Sequence, residues 1–398
     1  MTSCKILNWL MAVAICLLVL VAGCGSKLTV SSTGGGAVTT PGEGPFQYGQ
    51  GSVAEIVATA NTNYDFAKWT GTAVDAGKVA DPNAPSTTIT VDADYTLQAN
   101  FATALALKFT PEDSTTYRVI TEREKSVEFR GPLADDRAFE GGSTSSRVDM
   151  TFTQEIQSVD DGGNAIAKIT IKELKYFSRV KNVPDADFDS SRAQDQRSPL
   201  AKLIGQSYRI KFSPAGEVIG VVDVRSAQAA VRGRTQAHQT ALALLKHNVI
   251  KERHTVLALP PAGKNKVRAG DNWSSIRNFS YGLLGSETFE RIYTLKELKD
   301  INGRRLAVVE MNAIPSAEMA EELYKKQAPG VLSNMGDNIQ TYTGQLELDL
   351  ATGKVEKCFE KLRTEWIIVD PSIRPGDNKK PAAVKMAEAR LYSLERID

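Results

Sequence analysis

Beyond residue 27 the chain is written largely in period two. Ile56, Ala58 and Ala60 alternate with polar neighbours, as do Ile89 and Val91, and then Tyr95, Leu97 and Ala99. The habit returns in Tyr117, Val119 and Thr121, in Val148, Met150 and Phe152, and in Ala167, Ile169 and Ile171. Successive side chains of a strand point to opposite faces, so each run predicts a strand with one buried face. Tyr208, Ile210 and Phe212 lead into a turn at residues 213–216 and out through Val218, Val222 and Val224. Leu346, Leu348 and Leu350 lead into another turn at 351–353, then into a strand holding Trp366 and Ile368. Tyr64 and Phe66 share a face while Trp69 falls off it, which predicts a bulge or a strand end. The fold class is mainly β: a small all-β module, then a larger antiparallel β domain with one or two helices.

Helical signals are few. Residues 227–249 are rich in Ala and Leu, although Gly233 weakens the first half. Ser316 is placed to cap a short helix with Met319, Ala320 and Leu323 inward, stopped by Pro329. Residues 384–397 read both ways: Val384, Ala387, Leu391 and Leu394 fit a helical face, and the β-rich surroundings favour a strand.

The larger domain, residues 104–398, looks written twice, in halves of about 104–250 and 278–398. Gly163 and Gly303 each precede an apolar strand, and Gly205-Gln206 and Gly344-Gln345 each open one. Gly216 and Gly353 each mark the turn that follows. The three offsets are 140, 139 and 137 residues, close enough in step to predict an internal duplication. Glycine-marked hairpins are common in any β protein. If the halves are copies, Gly216 and Gly353 occupy equivalent hairpins, related by an approximate two-fold axis.

The N-terminus obeys a different pattern. Residues 9–22 form an apolar run of 14 after a single charge, Lys5, which suits a signal-peptide core and is too short to span a bilayer. It ends in Val21-Ala22-Gly23-Cys24, which resembles the lipobox of bacterial lipoproteins. The resemblance implies a signal peptide over residues 1–23, cleavage before Cys24, and lipid attachment at Cys24. Residues 24–27 are then a short lipidated tether. Gly25, not an aspartate, follows the cysteine, which under the proteobacterial sorting rule implies an outer-membrane destination in the cell envelope. Of the four cysteines, Cys4 and Cys16 leave with the signal and Cys358 is left alone, without a disulfide partner. It sits inside an apparent strand and reads as a small core residue.

Within residues 28–102, Gly35-Gly36-x-Val38, Tyr64-x-Phe66-x-x-Trp69-x-Gly71 and Leu97-x-Ala99-Asn100-Phe101 resemble the divergent internalin-type (InlB) B-repeat. That family is found mostly as spacers and adhesion modules and brings no catalytic residues. The larger domain resembles an uncharacterised group of exported lipoproteins through Leu259-Pro260-Pro261, Gly270-Asp271-x-Trp273 and Asp349-Leu350-x-Thr352-Gly353. In architecture it also resembles half-barrel carriers of lipid.

Charge adds an exclusion. The 48 basic and 47 acidic residues nearly cancel, so there is no electrostatic case for nucleic acid. No nucleophile elbow, His-Glu-x-x-His pair, Walker loop or dinucleotide fingerprint is present. His238, His247 and His254 read as solvated helix residues, with His247 and His254 on one face. Asp185, Asp187 and Asp189 alternate in what reads as a loop, without the glycine and distal glutamate of a calcium hand. Glu122, Glu124 and Glu128 interleave with Arg123, Lys125 and Arg130, the pattern of an exposed strand face.

These readings converge on a non-enzymatic envelope lipoprotein, a binding or structural module held at the membrane through Cys24, with no cofactor or metal. The alternative is a periplasmic carrier or chaperone that encloses an apolar ligand. An open apolar face lined by Leu346, Leu348, Phe359 and Trp366 would favour the carrier; a filled core would favour the module.

Overall fold

The computed structural model describes residues 25–135, 140–281, 285–316, 336–369 and 382–398, and only the backbone of 336–338. Cys24 and the helix expected between Ser316 and Pro329 lie outside the described residues. The chain divides into two compact units between Ala104 and Leu105.

In the first unit, β1 (Gly25–Ser32) runs antiparallel to β3 (Gly44–Gly49) and parallel to β7 (Tyr95–Ala104), which pairs on its other side with β5 (Asp65–Thr70). A second sheet orders β2 (Gly36–Thr40), β4 (Ser52–Ala60) and β6 (Ser86–Val91), and a one-turn α1 (Thr72–Asp75) follows β5. Residues 25–27, read as tether, are thus the opening of β1, paired with Gly49, Tyr48 and Gln47. The expected phase break is a β-bulge between Phe66 and Lys68, which turns Trp69 into a core of Leu28, Val30, Ile56, Ile89 and Leu97. The paired glycines of the motif have a packing reason: a Cβ on Gly36 would lie 2.4 Å from the Phe101 ring, and one on Gly35 equally close to Tyr64.

The second unit is one 12-stranded sheet in which paired neighbours run antiparallel. Its strands are β8 (Ser114–Arg130), β9 (Gly142–Val159), β10 (Ala165–Val180), β11 (Val183–Asp189), β12 (Ser207–Phe212) and β13 (Val218–Asp223). Then come α2 (Arg225–Ala230), α3 (Gln236–Leu244), α4 (His247–His254) and a short β14 (Lys266–Val267), which is not part of this sheet. β15 (Asn272–Ser280), β16 (Ser286–Ile301), β17 (Arg304–Pro315), β18 (Gly336–Asp349), β19 (Val355–Val369) and β20 (Ala383–Arg396) complete it. The order is 13-12-10-9-8-20-19-18-17-16-15, with β11 on β10.

The terminal run is therefore a strand, β20, held between β19 and β8. Its neighbours supply hydrogen-bond partners along its whole length, and that tertiary pairing overrides its helix-compatible spacing. The helix expected over 227–249 is broken into α2, α3 and the start of α4. At Gly233 a Cβ would stand 2.3 Å from the His238 ring. Thr235 then caps α3, its hydroxyl accepting from the His238 N–H.

Gly163 and Gly303 sit in the β9–β10 and β16–β17 turns, and Gly216 and Gly353 in the β12–β13 and β18–β19 turns. Gly205 precedes β12, whereas Gly344 lies inside the longer β18. The halves follow one another head to tail in the sheet. Five strands of the second each lie six places from a strand of the first, β15 from β8 through β19 from β13. A two-fold axis normal to the sheet would reverse the strand order of one half, so the expected two-fold is replaced by a repeat along the sheet.

Candidate functional site

The core of the second unit lies on one sheet face, where Met150, Ile169, Tyr208, Leu346 and Leu348 pack with Ala241, Leu244 and Ile250 of α3 and α4. Between these helices and strands β8, β9, β15 and β18–β20 remains a cavity of about 230 Å³. Leu244, Val249, Leu257, Leu362 and Leu391 supply apolar wall, and Cys358 its floor. The polar wall is made of arginines and glutamates.

Glu360 of β19 is the centre of the polar wall and is 8% exposed. It accepts from Arg277 Nη1 at 3.1 Å, Arg291 Nη1 at 3.3 Å and Tyr342 Oη at 2.6 Å. Arg277 also reaches Glu252 of α4 at 2.8 Å. Burial, then the Glu360 charge, pushes the Tyr342 phenol up, so it stays a donor. On the opposite flank, Glu388 of β20 is shared by Arg123 at 2.9 Å, Lys125 at 3.3 Å and Arg390 at 2.6 Å. Burial pushes the Glu388 carboxyl up, but the Arg390 and Arg123 guanidiniums outweigh it and hold the carboxyl below its usual range. Arg277 and Arg390 both lie over the Phe279 ring, 4.9 and 4.6 Å from its centroid. Each carboxylate thus serves more than one cation.

Arg253, at the end of α4, differs. It is 2% exposed; Nη2 donates to Leu244 O at 3.1 Å, and Nη1 has no hydrogen-bond partner. Beside it, His254 Nε2 lies 2.6 Å from Tyr208 Oη. Burial, then the Arg253 charge, holds the His254 imidazole well below its ordinary pKa, so it is neutral. His254 is therefore not a solvated residue, while His247 is exposed and His238 is engaged by Thr235 at 2.7 Å.

The other nominated residues are scattered. Asp185, Asp187 and Asp189 belong to strand β11, where the β10 ladder extends them, and meet separate partners: Ser178, Arg192, and Lys175 with Ser191. Among the described residues no three His, Cys, Asp or Glu side chains are grouped to hold a metal ion. Glu122, Glu124 and Glu128 pair with Arg147, Arg179 and Arg130. Cys358 is buried and its thiol pushed up by that burial, an inert core residue. Leu346, Leu348 and Trp366 are buried in the core, but Phe359 projects from the other face, because its neighbours Cys358 and Glu360 take the inner one. Sequence reasoning missed Arg277, Arg291 and Glu360. The available signal was a charged residue in the inward phase of an apolar alternation: Phe289-x-Arg291-x-Tyr293 and Cys358-x-Glu360-x-Leu362.

Residues 26–105 match the family model of the divergent InlB B-repeat domain. No curated protein matches the chain. Among solved structures it is similar to one of lipovitellin, titled for its lipid–protein interactions, at 10% identity over 73% of this chain, with a TM-score of 0.34. The chain spans 26% of that structure's length.

Proposed function

We propose that this is a non-enzymatic lipoprotein of the cell envelope, in which a B-repeat module at the membrane carries a larger β domain that binds a partner or supports surface architecture. The observation that carries the reading is the family match over residues 26–105, a module type used for spacing and adhesion. Two features support it. The first described residue, Gly25, is already paired in β1, so a lipid on Cys24 would leave the module no free tether and place it against the bilayer. The face offered for an open carrier, Leu346, Leu348 and Trp366, is packed core.

The lipid anchor is tested by fractionation. Stable anchoring takes more than one acyl chain, each buried CH₂ contributing about 0.8 kcal/mol. The wild-type chain should stay with membranes in high salt, and Cys24→Ala should release it. A Cys24→Ala protein that remains wholly membrane-bound and salt-resistant would overturn the assignment.

A second reading, a carrier of a small apolar ligand, is favoured by the 230 Å³ cavity. That volume lies below the ~300–1,000 Å³ of ordinary ligand pockets, so a long acyl chain is not its cargo.

A further inference from the structure

We propose that the cavity of the second unit binds a small amphiphilic anion, a carboxylate on a medium-length hydrocarbon chain, with Arg253 as the counter-charge. The proposal deepens the carrier reading and rests on it.

The argument begins with a charge that lacks its balance. A guanidinium cannot shed its proton in a protein, and burying it without a counter-ion is unfavourable. Arg277 has Glu360 and Glu252, and Arg123 and Arg390 share Glu388. Among the described residues no carboxylate pairs with Arg253, and Nη1 is left without any acceptor. Held beside the neutral Tyr208 phenol, which it also contacts, its guanidinium caps the end of α3 through a hydrogen bond to Leu244 O. That bond explains why the side chain is held there but does not neutralise it. Tyr208 and His254 cannot do so either: burial pushes the phenol up, and the imidazole is kept neutral. The three carboxylates that line the cavity are already committed, Glu360 to Arg277 and Arg291, Glu252 to Arg277 and Glu122 to Arg147. An anion entering here meets an excess of positive charge.

The remaining wall selects what the anion carries. Leu244, Val249, Leu257, Leu362 and Leu391 form an apolar lining in the same cavity as Arg253. A dry cavity of ~150 Å³ holds benzene; on that scale 230 Å³ holds about ten non-hydrogen atoms, the size of octanoate. A neutral alcohol of that length would fill the space and leave Arg253 unbalanced. A bare small anion would balance the charge and leave the leucines uncovered.

The test is calorimetric titration of the full chain carrying Cys24→Ala with octanoate, octanol and acetate. Octanoate should bind at least tenfold more tightly than either. Arg253→Met should bring octanoate down to octanol, and Arg253→Lys should keep part of the preference. Leu391→Trp, which fills the cavity and leaves Arg253 in place, should abolish both; it keeps the question open to measurement if Arg253→Met fails to fold. Equal affinity for octanoate and octanol overturns the anion assignment and leaves a carrier of apolar ligands standing. Acetate binding as tightly as octanoate overturns the amphiphile assignment. Binding of none of the three overturns this proposal and the carrier reading together, while the membrane anchor is judged separately by fractionation.

Discussion

Truncating Trp69 should unfold the first unit and spare the second. The indole is 1% exposed, with its ring 5.5 Å from that of Phe66 and its Nε1 donating to Ala84 O at 2.9 Å. Trp69 is therefore both the largest filler of this core and the tie between β5 and the loop before β6. Removing a buried Trp side chain costs about 3–5 kcal/mol, the cavity included. A unit of this size rarely draws more than ~3–5 kcal/mol of stability from its core, so the loss consumes nearly all of it. At about 1.4 kcal/mol per decade, amide exchange through opening of the module should accelerate roughly a hundred- to several-thousand-fold in Trp69→Ala. Hydrogen exchange read by mass spectrometry on the full chain separates the units. Protection in β4, β6 and β7 should collapse while that in β9, β10 and β19 holds. Trp69→Phe keeps most of the volume but gives up the hydrogen bond to Ala84, and should fall in between. If protection across residues 25–104 in Trp69→Ala stays within tenfold of wild type, the core is not organised around this ring and the reasoning fails.

Three further outcomes follow from the second unit. Gly216 (φ 82°) and Gly353 (φ 64°) are left-handed, and a Cβ there would lie 2.4 Å from Val256 O and Lys108 N; Gly303 (φ 77°) has open space around it. Alanine should therefore cost Gly303 only its backbone strain, about 1–2 kcal/mol, and cost the other two more, as thermal melts would show. Asp160 is held at about 2, first by Lys211 and then by Asn164; because its folded pKa lies below the unfolded ~3.9, its contribution is complete above that value and is lost as pH falls through about 2. Asp160→Asn should flatten the acid limb of the stability–pH curve in that window and lower stability at neutral pH, with the two curves converging below about pH 2. Ending the chain before β20 removes a strand paired at every position from Ala383 to Arg396 with β8; exchange protection in β8 and β19 should vanish while the first unit keeps its own.

Period two was enough to find most strands because one sheet face is core and the other is wet. It placed Tyr208, Ile210, Phe212 and Val218 inward, and they are buried. It failed where the ladder slips: β12 and β13 change register twice, and Val222, expected inward, is 47% exposed. Phe359 was misplaced for a simpler reason. Trp366 lies seven residues on, an odd number, so an uninterrupted strand cannot show both on one face. The candidate site was almost illegible, because its residues come from eight separated elements and their shared chemistry appears only when β20 closes against β8. Arg253 and Glu252 lie on a helix whose inward face no isolated periodicity marked. A charged residue in an inward phase, as at Arg291 and Glu360, is the part that could have been read.

The seam between β8 and β20 also changes what the repeated glycines mean. A two-fold pair of halves would meet through identical strands, each covering the other's edge in the same way. Here they meet head to tail, and after β19 the second half goes into a further strand, β20, where the first goes into α2, α3 and α4 after β13. The halves thus end differently, one in a strand and the other in a helical layer. Both additions border the same cavity: β20 gives Arg390, Leu391 and Tyr392, and the helices give Leu244, Val249, Glu252 and Arg253. Tyr392 Oη donates to Arg253 O at 3.2 Å, joining the two directly. A repeat by itself would produce two equivalent faces and no privileged place for a ligand. The departure from repetition creates one, at the position where Arg253 is left without a carboxylate.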